Sequence, residues 1–124
     1  MPGFEPGDLV KVPFPYTDRP VRQRRPALVL AAGSLAEGHG LLWVLMVTSA
    51  EHRPWAEDVL IGDDDAAGLP TPSVIRCAKI ATVEGRESEA LGRVSPDVVE
   101  QVLECVRRIL GASAGPTRGK PPID

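Results

Sequence analysis

Two apolar runs limit what this chain can become: ALVLAA at residues 27–32 and LLWVLMVT at residues 41–48, separated by the glycine-rich GSLAEGHG. Neither run has the three-and-four spacing of an amphipathic helix, and one starts after Pro26, the other after Gly40, so both are predicted to be strands. They should pair with each other at the centre of a sheet. Weaker strand signals surround them. In residues 8–13, Val10 and Val12 alternate with Lys11 between Gly7 and Pro13. The loop PFPYTDRPVRQRR follows. Residues 58–61 (DVLI) and 73–77 (SVIRC) are short β-branched segments, split by a loop with Gly68, Pro70 and Pro72 that can continue neither. Residues 79–83 and 91–94 are read as a last strand pair.

The end of the chain follows a different period. In SPDVVEQVLECVRRILG, Ser95 is an N-cap, Pro96 takes the first helical position, Asp97 suits the first turn and Gly111 the stop. Val98, Val99, Val102, Leu103, Val106, Ile109 and Leu110 fall on one broad face, so the helix packs on the sheet. A length of 124 residues suits one domain. We assign it residues 1–111 and expect residues 112–124, ASAGPTRGKPPID, to form a flexible tail. The expected fold is mainly β: a small, strongly curved antiparallel barrel or half-barrel closed by a C-terminal helix.

Charge narrows the function. The chain carries a net charge of -3, yet RPVRQRR at residues 19–25 holds four arginines and no acid, leaving 10 basic and 17 acidic residues elsewhere. That balance speaks against indiscriminate binding to nucleic acid or membrane, while the local cluster fits one phosphate-bearing ligand. No run approaches the ~20 apolar residues of a membrane span, and MPGFEPGDLV has no signal-like apolar segment, so a cytoplasmic protein is expected. Cys77 and Cys105 are read as reduced, packed thiols. The Asp63-Asp64-Asp65 run lacks ordered ligand spacing, so neither metal nor cofactor is expected. Trp43, inside an apolar run, is assigned to the core, whereas Tyr16, beside the arginine loop, is suited to stack an unpaired base.

Five segments together carry a resemblance: GDLVKVPFPYTD, RRPALVL, VTSA, GLPTPSVIRCAKI and LGRVSPDVVEQVLECVRRILG. In this order and spacing, over about residues 6–111, the chain resembles the MazF/PemK family of toxins from type II toxin–antitoxin modules. The resemblance implies an SH3-like barrel of the CcdB/MazF type, a homodimer, and a metal-independent endoribonuclease acting on single-stranded RNA, often mRNA, at short sequences. It also implies an antitoxin whose disordered segment covers the RNA groove.

On the family pattern, Arg25 before Pro26, Thr48 at the end of LLWVLMVT and Arg76 in SVIRC are the catalytic residues. Arg19, Arg22, Arg24, Ser49 and Tyr16 are then RNA-binding residues around them. One position departs from the pattern. PemK-like sequences commonly place an acid two residues after the strand arginine, where this chain has Ala78. On a regular strand that acid would stand beside Arg76 as proton acceptor and orienter. Without it, activity rests on another base or is weakened or absent; His52 is the best candidate for a substitute base on pKa grounds, ahead of His39. Two other readings follow: a catalytically weakened RNA-binding or regulatory member, favoured by Ala78, and a gyrase-binding CcdB-like toxin, against which the RRP and TSA segments speak.

Overall fold

The structure, a computed structural model, describes residues 3–15, 22–51, 54–62 and 68–111. In chain order these form β1 (Asp8–Pro15), β2 (Arg22–Ala31), α1 (Gly33–His39), β3 (Leu41–Ser49), β4 (Asp58–Leu60), β5 (Ser73–Glu84), a single 3₁₀ turn (Gly85–Glu87), β6 (Glu89–Arg93) and α2 (Pro96–Leu110). The six strands make one sheet in the order β4-β5-β3-β2-β1-β6, every neighbouring pair antiparallel. The two apolar runs pair at its centre, as their composition requires.

Both faces of the sheet are apolar, and alternation divides them cleanly. On one face Leu9, Leu28, Leu45, Val47, Val59 and Ile75 form a cluster that α2 covers with Val98, Val102 and Cys105. On the other, Val10, Val12, Ala27, Val29, Leu42 and Val44 form a second cluster, covered by Phe4 and by Ala36 of α1. The covering helix is built as its sequence predicts. The Ser95 hydroxyl accepts from the Val98 N–H at 3.3 Å, and Gly111, at φ +79°, donates back to the carbonyls of the last turn. Ile109 and Leu110 lie beyond the sheet and are exposed.

The expected barrel is corrected by the topology: among the described residues the SH3-like closure is absent, and the sheet is open, with β4 and β6 as its two edges. The edge strands are short, at three and five residues, and no ladder joins them. Other groups occupy the space between them. Gly68 lies against the Leu91 carbonyl of β6, Leu69 enters the core, and α2 joins Val59 and Ile61 at one edge to Val94 at the other. Register shifts interrupt the β1/β6, β2/β3 and β3/β5 ladders, and such bulges bend and twist a sheet.

Three further expectations are revised. β2 begins at Arg22, so three of the loop arginines belong to a strand; pairing with β1 carries it through Pro26. GSLAEGHG contains the helix α1. Trp43 is 43% exposed, because it stands on the α2 face beyond the part that α2 covers.

Gly68 is the position at which the gap between the edges is least forgiving. Its φ of +78° disfavours any side chain, and an added Cβ would lie 2.3 Å from the Leu91 carbonyl oxygen. Gly68→Ala is therefore expected to lower the unfolding free energy by about 2 kcal/mol or more. Urea unfolding checks this. An unchanged midpoint would mean that the loop does not bridge the edges.

Candidate functional site

The ladders bring the three predicted catalytic residues to one face. Val12 pairs with Arg25 across β1/β2, and Ala27 with Met46 across β2/β3; two residues further along that register, Thr48 stands across from Arg25. On the other side of β3, Met46 pairs with Arg76 and Thr48 with Val74. Directly opposed residues share a face, and so do residues two apart. Arg25, Thr48 and Arg76 therefore lie on three adjacent strands on the face away from α2, at the end that α1 and Phe4 leave uncovered. Thr48 is buried and Arg25 half-buried.

Arg76 is held from two sides. Its Nε and one Nη donate to the two carboxylate oxygens of Asp58 in β4, each at 3.0 Å, and the ladder places Asp58 directly opposite. The Arg76 and Asp58 side chains are only 10% and 9% exposed, so this is a buried, two-point ion pair. The guanidinium also lies over the Trp55 ring, 4.4 Å from its centroid. Burial alone would raise the Asp58 pKa. Hydrogen bonds from Arg76 and the Trp55 N–H, with the Arg76 charge, outweigh burial and hold it below the ordinary carboxylate value. Arg76 is held above its own usual value, chiefly by its hydrogen bond to Asp58.

An acid does stand beside Arg76, but it comes from the neighbouring strand. Ala78 is exposed and falls within a shift of the β3/β5 register, where Leu45 pairs with Ile80 but Met46 pairs with Arg76. The alternation that would set residue 78 beside Arg76 does not run through such a bulge. Asp58 was missed because its only sequence signal is a charge opening a short strand, and its partner lies 18 residues away. Trp55 was missed likewise: nothing local announces a ring that packs on an arginine of another segment.

The remaining predicted residues divide. Ser49 alternates to the α2 face, and its hydroxyl accepts from the Glu51 N–H at 3.2 Å, fixing the turn after β3. Arg24 also alternates away from Arg25, and donates to the carbonyls of Lys11 and Glu87 and to the Glu89 carboxylate. The backbone of Arg22 pairs with Pro15. Tyr16, Arg19, His52, the Asp63-Asp64-Asp65 run and the 112–124 tail lie outside the described residues. Cys77 and Cys105 are buried free thiols, and burial, with the Cys105 thiol nearby, pushes the Cys77 pKa up to about 12. Among the described residues, no three His, Cys, Asp or Glu side chains gather as metal ligands, and no helix is long and apolar enough to cross a membrane.

Comparison with known proteins places this fold in a class of small toxins. The family model of the PemK-like, MazF-like toxins of type II toxin–antitoxin systems matches residues 5–110. MazF from Deinococcus radiodurans superposes with a TM-score of 0.72 at 24% identity, over 90% of this chain and 99% of that one. MazF from the MazE–MazF complex of the same organism gives 0.70 at 26% identity, over 91% and 100%. Mycobacterium tuberculosis toxin MazF-mt6 gives 0.65 at 19% identity, over 88% and 99%. A search of curated proteins gave no match. The chain belongs to the PemK-like, MazF-like toxin family.

The buried pair should govern acid stability. Asp58→Ala removes the carboxylate beneath the Arg76 guanidinium and is expected to lower the unfolding free energy by about 3–5 kcal/mol near neutral pH. Because the native pKa of Asp58 is depressed, its contribution is complete above the unfolded value of ~3.9 and is lost as pH falls through the native one. Urea unfolding across that range should show the parent losing more stability on acidification than the variant. Parallel curves would remove Asp58 from the ion pair.

Proposed function

We propose that this protein is a toxin endoribonuclease that cuts single-stranded RNA at short sequences without a metal cofactor and is neutralised by an antitoxin seated on the same face. The observation that carries the reading is the convergence of Arg25, Thr48 and Arg76 on one sheet face, within a chain that matches the toxin family over residues 5–110. In this reaction the RNA's own 2′-hydroxyl attacks the adjacent phosphorus. The 2′-oxygen–phosphorus bond forms, the bond to the 5′-oxygen breaks, the 2′-proton passes to a base, and a proton reaches the leaving 5′-oxygen. The products are a 2′,3′-cyclic phosphate and a 5′-hydroxyl.

Arg25, at the half-buried start of the face, stabilises the charge that builds on the phosphorane. The Thr48 hydroxyl donates to a non-bridging oxygen. Arg76 holds a fixed position behind them, its orientation set by Asp58. Asp58 is not the base: it is held ionised below the usual range and covered by the arginine. His52 is the base in this reading. The toxin domain comprises residues 1–111, works as a homodimer and acts in the cytoplasm, and Arg19, Arg22 and Tyr16 are assigned to RNA binding. A second reading has its own support: Arg76 already carries a neutralising carboxylate and residue 78 is alanine, which suits a member that holds RNA without cutting it.

Incubation of the protein with a long single-stranded RNA in EDTA, followed by mapping of the ends, separates the two. Cleavage with cyclic phosphate ends is expected. Arg25→Ala and Thr48→Ala should each slow it by ~100- to 1,000-fold, while Arg107→Ala, on the outer surface of α2, should leave it unchanged. RNA that is bound but left whole would establish the second reading. Activity lost on chelation and restored by a divalent ion would overturn the metal-free mechanism.

A further inference from the structure

Trp55 is 40% exposed, yet it is not loosely placed. Its N–H donates to the Asp58 carboxylate at 2.9 Å, and the Asp58 N–H donates back to the Trp55 carbonyl at 3.2 Å, so the turn into β4 is closed at both ends. The Arg76 guanidinium supports the ring at 4.4 Å, and the Lys79 ammonium lies 6.0 Å from its centroid. The indole is thus held in place while part of it stays open to solvent. What the arrangement does offer is a stiff aromatic surface with cations against it, joined through Asp58 to the face that carries Thr48 and Arg25.

We propose that Trp55 is a stacking platform for one unpaired base of the RNA substrate, with the phosphate next to that base directed toward Lys79. The inference rests on the ribonuclease reading above and adds a base subsite to it. An unpaired base presents a flat π-face that a fixed indole can match, whatever its identity. Asp58 cancels the charge of Arg76, so the attraction for the backbone at this margin comes from Lys79. Asp58 therefore serves two parts of the site as a positioning residue: one oxygen helps set the arginine, and the other holds both the arginine and the turn that presents the ring.

The test uses an RNA of mapped cleavage site, made uncleavable by a 2′-deoxy substitution there, in its intact form and with an abasic residue at each position in turn. Anisotropy measurements with the parent and Trp55→Ala should show ~10- to 100-fold weaker binding by the variant, with Trp55→Phe between them. One abasic substitution should weaken the parent by the same factor and should not weaken Trp55→Ala further. On the cleavable RNA, KM should rise while kcat at saturation changes less than about threefold. Should Trp55→Ala fail to fold, Trp55 emission in a Trp43→Phe background carries the test, with quenching expected from the intact RNA and not from the critical abasic one. The platform is overturned if the parent cuts RNA and Trp55→Ala binds it equally well, if abasic and Trp55→Ala losses multiply at every position, or if the emission never responds to a missing base. Loss of antitoxin binding alone, with RNA affinity intact, would give the ring to a protein partner and overturn the proposal too. A parent that neither binds nor cuts RNA would defeat the function reading itself.

Discussion

A sheet that is apolar on both faces must be covered twice, and the described residues offer one long helix with which to do it. β3 shows the constraint most plainly, since Leu45 and Val47 look toward α2 while Leu42 and Val44 look away from it. The long helix settles on the first face. Among the described residues, Phe4 and the short α1 pack on the second face. Further along that face the strands carry Arg25, Thr48 and Arg76. The candidate site thus lies on the face that the long helix does not occupy.

The buried ion pair lies on the same face. A guanidinium sunk to a tenth of its free exposure needs a carboxylate aimed at it, and β4, although only three residues long, supplies one at the opposite register position. The pair ties the weakest strand of the sheet to β5 by side chains as well as by its short ladder. An ion pair is an awkward way to gain stability, but a good way to fix one geometry where the alternative is a misplaced charge.

Local chemistry made much of this legible. Ser95, Pro96 and Gly111 marked the ends of α2 because caps act over one turn, and the central strands announced themselves through apolar composition. Thr48 and Arg25 were accessible through the resemblance, and the ladders then brought them together. The failures share a physical cause: each depended on what lay across from a residue rather than beside it. Closure of the sheet hinged on the meeting of β4 and β6; the partner of Arg76 was sought on its own strand and stood on the next; Ser49 and Arg24 were grouped with their chain neighbours, although alternation turns them to the opposite face.

A paired arginine has a different reach from a single one. Seen from farther than the roughly 8 Å over which physiological salt screens charge, Arg76 and Asp58 amount to a small dipole whose field has all but vanished. A polyanion approaching from solution would not sense Arg76 at all; it would be drawn by cations nearer the surface, such as Lys79, and would meet the arginine only on arrival. Added electrolyte would thin the long-range attraction and slow the encounter, while the close fit to a guanidinium already relieved of its charge would stand almost unaltered. Capture and recognition would then respond to ionic strength as two separate steps, divided by the carboxylate of a three-residue strand.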